Sequence, residues 1–185
     1  MTYTAALEKA WKDLANIAKE RRYSVKFVSD TYDIDLDGKT VISASCSAPT
    51  REYTVIIILH YLTQKLLFGK LPEPAGEWID FNQIEGGDAY YPTFRKRTIE
   101  RIIKKYGKKP EDLLAAAGRL PHKKGPVGDV SVVIYPFEEV GILIKMSKAD
   151  EEFGPDANIL YDANIPRIFC TEDIVVLTEL VVNQL

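Results

Sequence analysis

Three clusters along this chain hold residue types able to do chemistry. The first is EGGDAYYPTFRKR, residues 85–97. A glycine pair, two acids, two adjacent tyrosines and three cations in one short segment suit a loop that seats an anion. Arg95 carries that reading. Advancing about 100° per residue along one uninterrupted helix puts Ile99, Ile102, Ile103 and Tyr106 on the side of Arg95, with Arg97, Arg101 and Lys104 opposite. A guanidinium in register with an apolar face needs a negative partner. Glu85, Asp88, Asp80 or a bound carboxylate or phosphate would serve. Gly86 and Gly87 would form the hinge, and Tyr90 and Tyr91 either pack or stack on a flat ligand. The pair is no phosphate loop, because GKS/T is missing.

The second cluster is ADEEFGPDANILYD, residues 149–162. Asp150, Glu152, Asp156 and Asp162 supply oxygens of the kind that hold magnesium or calcium, yet their spacing fits no metal motif and a solvated acidic turn explains them as well. No metal is expected. The third is His60, within VIIILHYL. It reads as a core histidine bonded through one nitrogen, or as a ligand or general base whose partner the sequence does not identify. Asp33, Asp35, Asp37 and Gly38 imitate the opening of a calcium loop, but the closing glutamate is replaced by Ala44. Nothing resembles a nucleophile elbow.

The elements that must position these residues follow from periodicity. Residues 3–20 repeat apolar positions at helical spacing through Leu7, Trp11, Leu14 and Ala18. Residues 23–44 alternate with period two, and Asp37-Gly38 predicts a type I′ hairpin that pairs Ile34 with Val41 and Asp35 with Thr40. Residues 50–67, capped by Thr50, form the most apolar helix and should lie at the centre. A loop over 69–76 and a short extended piece at 77–81 precede a helix over 92–106 that Gly107 closes. Pro110 opens a short helix, and 118–128 reads as a surface loop. Strands at 130–137 and 140–147 joined by Glu138-Glu139, a third extended piece at 158–162 and a final helix capped by Thr171 complete the chain. The order lacks βαβ alternation, so the expected fold is α+β, a single domain over 1–185 with an antiparallel or mixed sheet against about five helices.

Composition bounds the rest. A chain of 185 residues with 46% hydrophobic and 28% charged residues is an ordinary globular sequence. A net charge of −3 gives no general attraction to nucleic acid or to an anionic membrane. The N-terminus reads as no signal peptide, and the longest apolar run is far too short to span a membrane. Cys46 and Cys170 offer neither a disulfide framework nor zinc spacing. A cytoplasmic location is expected.

LHYL (59–62), GEWIDF (76–81), the GG-x-x-YYPTFRKR entrance, DEEFGPDANILYD and the closing TED helix together resemble the domain-of-unknown-function family numbered 3786. The resemblance runs over nearly the whole chain. It implies an origin in anaerobic bacteria or archaea and a setting near one-carbon and corrinoid metabolism. Members that carry an iron–sulfur cluster hold it in a cysteine-rich segment ahead of the domain, so this chain is expected to hold none. The resemblance assigns no catalytic residue. Three functions stay open. One is a binding protein for an anionic small molecule or cofactor, of tetrapyrrole or corrinoid type, with Arg95, Tyr90 and Tyr91 on its carboxylates and His60 as axial ligand. Another is a metal-assisted enzyme built on the 150–162 acids. The last is an interaction module whose basic face (Arg97, Arg101, Lys104 and Lys108) docks an acidic protein. The cofactor is unknown.

Overall fold

The structure is a computed structural model that describes residues 3–185. Helix α1 (Thr4–Ile17) leads into a three-stranded antiparallel sheet, β1 (Arg22–Phe27), β2 (Asp30–Asp35) and β3 (Thr40–Ser43). Helix α2 (Glu52–Phe68) crosses the centre with Ile57, Ile58 and Leu59 buried, as its uniform apolarity requires. Strand β4 (Trp78–Asp80) and a short 3-10 turn (Phe81–Gln83) precede α3 (Gly87–Arg97), α4 (Ile99–Tyr106) and α5 (Glu111–Ala117). Strands β5 (His122–Lys124), β6 (Val130–Phe137), β7 (Val140–Ser147) and β8 (Asp156–Asp162) follow, and α6 (Thr171–Val182) ends the order. The second sheet is antiparallel in the order β4-β8-β7-β6-β5. With helices segregated from two antiparallel sheets, the fold is α+β.

The principal core runs from α1 through α2 to the inner face of the larger sheet, and includes Trp11, Leu14, Ile58, Phe81, Phe94, Ile144 and Tyr161. A small cluster of Val133, Leu143 and Leu160 fills the opposite face beneath Trp78 and Tyr135. The two sheets meet where the Val28 N–H donates to the Pro136 carbonyl at 2.7 Å. Val28 holds φ +54°, a left-handed conformation that β-branched residues rarely adopt, in the tight turn between β1 and β2.

Several local expectations are corrected. The hairpin register is as read, Ile34 with Val41 and Asp35 with Thr40, but the turn is not type I′. Residues 36–39 form a longer loop in which Lys39, not Gly38, has positive φ (47°), while the Asp35 carboxylate accepts the amides of Asp37 and Gly38. The helix read over 92–106 is two helices. It starts at Gly87, five residues ahead of Pro92, and breaks at Thr98 (φ −126°, ψ −72°), whose hydroxyl donates to the Phe94 carbonyl. Residues 122–124, read as loop, form the lysine-bearing edge strand β5, and such polar edges lack the alternation that announces a strand. The caps of α2 and α6 are Arg51 and Cys170, each one position from the threonines expected there.

Candidate functional site

The buried stripe runs through the irregularity at Thr98, from Phe94 and Thr98 to Ile99, Ile102 and Tyr106, and Arg95 stands at its margin, half-buried. Its side chain is 38% exposed and approaches the Asp156 carboxylate at 3.8 Å. Tyr90 is half exposed, whereas Tyr91 leans on Phe94 with ring centroids 6.3 Å apart. Asp88 is exposed in the first turn of α3, where its charge complements the helix dipole. Gly86 and Gly87 do backbone work. Gly86 adopts φ +74° as the residue before the helix, and a Cβ on Gly87 would overlap the Phe81 carbonyl oxygen. Arg95 and the tyrosines sit on a surface helix and line none of the grooves described below.

The acids of 150–162 are spread among separate tasks. Asp150 accepts the amides of Phe153 (2.7 Å) and Glu152 (2.9 Å), and those two bonds hold its carboxyl below the usual range. Asp162 accepts the amides of Ala75, Gly76 and Asn164, pinning the 69–76 loop. Asp156 faces Arg95, and Glu152 is exposed. Among the described residues no three His, Cys, Asp or Glu side chains gather to hold a metal ion.

His60 has the partner that the sequence did not identify. Its Nδ1 lies 2.8 Å from the Asp173 carboxylate on α6, which is 11% exposed against 28% for the imidazole. Burial pushes the neighbouring Cys170 thiol up, and the Asp173 charge adds to this while the Asp173 and Glu172 amides oppose it. Next to it the Thr171 hydroxyl donates to the Glu85 carbonyl at 2.6 Å, so the glycine loop is fastened to the start of α6. Charge, burial and anchorage thus meet at one end of α6, without a cavity lined by His60 among the grooves described.

The concave surface lies on the other flank of α2. Tyr61 and Lys65, one turn apart on that helix, both reach Glu139 at the tip of the β6–β7 hairpin. The Tyr61 hydroxyl donates to Glu139 Oε2 at 2.5 Å, and Lys65 Nζ lies 2.8 Å from Oε1 and 3.1 Å from the tyrosine oxygen. The Tyr61 ring stacks on Phe137, with centroids 3.9 Å apart and planes 9° from parallel. Burial pushes the Tyr61 hydroxyl up to about 12, with Glu139 reinforcing the shift. Burial pulls the Lys65 ammonium down, but its bonds to Glu139 and Tyr61 outweigh this and hold it at about 12. Burial raises the Glu139 carboxyl, yet Lys65 and Tyr61 together bring it below its ordinary value.

Beside this triad, α1, β1 and α2 enclose a groove of about 590 Å³, floored by Ile17, Val25, Leu62 and Leu66. Its polar wall is Lys19, Lys26, Lys65, Tyr23 and Glu138. The Tyr23 hydroxyl accepts the amides of Lys19 and Glu20, fixing the end of α1 over β1. A second groove of about 480 Å³ continues across β1 and shares Lys26 and Glu138 with the first. It adds His122, Lys123, Tyr135 and Val28, and the Lys123 ammonium stands 5.3 Å from the centre of the Tyr135 ring. Sequence reading missed these residues. The Tyr61–Lys65 spacing was visible, but nothing local says that a hairpin tip over seventy positions later reaches them.

Among the described residues no helix is long and apolar enough to cross a membrane. No curated protein and no solved structure matches the chain. The family described as "Domain of unknown function (DUF3786)" matches residues 7–184, and the chain belongs to it.

Proposed function

We propose that this chain is a cytosolic binding protein for an anionic small molecule, seated in the groove between α1, β1 and α2. One observation carries the reading: Lys19 and Lys26 line a groove with an apolar floor beside the Lys65–Glu139 ion pair, with one further acid, Glu138, in the same wall. A concave apolar surface with a few converging charges is the common form of a ligand site. Tyr23 offers a partly exposed ring, so a flat body with a negative group suits the groove better than a bare inorganic ion. His60 lines neither groove, which separates an axial-ligand role from this seat. A haem or cobalamin titration followed in the visible range tests that role independently.

Anilinonaphthalene sulfonate, a flat apolar anion whose fluorescence rises on binding, is the first probe. Lys26→Glu is expected to weaken it roughly fivefold to tenfold, the scale of one exposed ion pair or a little more. Glu138→Gln is expected to tighten it by about twofold to fivefold through loss of a like charge. Opposite signs at two residues of one wall are the signature. If both substitutions leave the affinity within experimental error, the groove is not the site.

A second reading rests on the α3–α4 surface. Lys96, Arg97 and Arg101 line one shallow groove, and Glu179, 3.2 Å from Arg97, is the acid in it. With Lys104 and Lys108 this face suits an acidic protein partner. Reversing Arg97 and Arg101 to glutamate should abolish capture of such a partner, and rising salt should weaken capture by the unaltered protein. Capture that ignores both treatments removes this reading.

A further inference from the structure

The two grooves on either side of β1 have common walls, and this bears on the shape of what they hold. We propose that the ligand is an elongated organic dianion: an apolar middle on the α1–β1–α2 floor, one negative end at Lys19, and a second negative end beyond β1 at Lys123. This rests on the reading of the first groove as an anion site, and goes beyond it in naming the ligand class.

Lys26 and Glu138 are lined from both sides, so a chain that leaves the first groove past them enters the second. Cations stand at both far ends. Lys19 follows the end of α1, while Lys123 projects from edge strand β5 over Tyr135. Lys26, exposed on β1, stands midway. Apolar side chains line both grooves, Ile17, Leu62 and Leu66 in the first and Val28 and Pro136 in the second, with Lys26 and Glu138 common to the two. The run of β1 from Tyr23 to Phe27 measures about 13 Å at a strand's rise of roughly 3.3 Å per residue. A compact mono-anion fills one groove and leaves Lys123 to solvent. An extended molecule with a carboxylate or phosphate at each end satisfies both, because its second contact forms at the high effective concentration set by the first.

Glu138 acts as a filter in this arrangement. It stands beside Lys26 where the apolar middle of the ligand passes, so a negative charge placed centrally meets it, and charges placed at the ends do not.

Displacement of bound anilinonaphthalene sulfonate by dodecanedioate, dodecanoate and succinate tests the inference. Lys123→Glu is expected to weaken dodecanedioate roughly fivefold to tenfold while leaving dodecanoate within about twofold, and succinate should compete poorly in both proteins. Lys123 is an exposed edge-strand residue, so the fold should tolerate the change. Equal effects of Lys123→Glu on the one-headed and two-headed chains, or none on either, overturn the dianion and leave the first groove intact. Dye binding that responds to neither Lys26→Glu nor Glu138→Gln removes the groove itself, and both readings fall together.

Discussion

Gly87→Ala should lower the unfolding free energy by about 3 kcal/mol, at the upper end of what an extra methyl in a packed site costs. The new Cβ would overlap the Phe81 carbonyl oxygen and lie 3.0 Å from its carbon and 3.1 Å from the Asn82 Cα. All three are backbone atoms, so no rotamer change relieves the clash. The 3-10 turn would have to retreat from α3, and Phe81, fully buried and stacked on Phe94 at 4.2 Å, would move with it. Gly86→Ala is the control. Its Cβ meets nothing within 4 Å, and the cost there is only that of holding alanine at φ +74°, about 1 kcal/mol. Urea unfolding of the two variants measures the contrast. A Gly87→Ala midpoint no lower than that of Gly86→Ala would mean that the turn yields easily and that the glycine pair is not a packing requirement.

Alkaline pH should expose the Tyr61–Lys65–Glu139 triad. The Tyr61 hydroxyl is held up at about 12, against an ordinary value of 10, mainly because its buried oxygen resists ionisation. A raised value means that the folded state keeps a proton that the unfolded chain gives up. The stabilisation is therefore complete below pH 10 and disappears as pH climbs through the folded value. For a side chain this buried, a shift of that size corresponds to about 2–3 kcal/mol. Lys65 titrates in the same direction: its contribution is whole below the free lysine value of 10.5 and is lost as pH passes about 12. Glu139 works at the other end of the scale, where its lowered carboxyl contributes above the ordinary value of 4.5 and loses its effect on acidification. Tyr61→Phe removes the hydroxyl, so the wild-type protein should lose more stability than the variant between about pH 9 and about pH 11.5. A gap between the two proteins that stays constant over that range would contradict the assignment. Tyr161, fully buried with its hydroxyl 2.7 Å from that of Thr178, is also raised, but it is common to both proteins and cancels.

How far the sequence reached can be judged residue by residue. The strands at 130–137 and 140–147 with their two-residue link were readable as short apolar runs, and the register of Ile34 with Val41 from period-two alternation, because both patterns are local. The centrality of α2 was readable too, since a helix apolar on every side has nowhere else to go. Arg95 shows the limit of local reasoning: helical phase placed it near the apolar stripe, and it stands half-buried at the edge of that stripe, but the acid it approaches, Asp156, lies on a strand about sixty positions away. Edge strand β5 was invisible for a different reason: His122, Lys123 and Lys124 become a strand only because β6 offers them a ladder.

By itself the sequence determined the fold class, the buried helix, the main hairpins and the membership of one family, since these depend on periodicity, turn chemistry and motif order along the chain. Tertiary structure alone decided which polar groups meet: His60 with Asp173, Glu139 with Tyr61 and Lys65, and Lys26 with Lys123 along one groove. The physical reason is sequence separation. A local pattern fixes how a side chain points from its own element, but the neighbour it finds is set by how elements far apart in the chain pack together to bury their apolar faces.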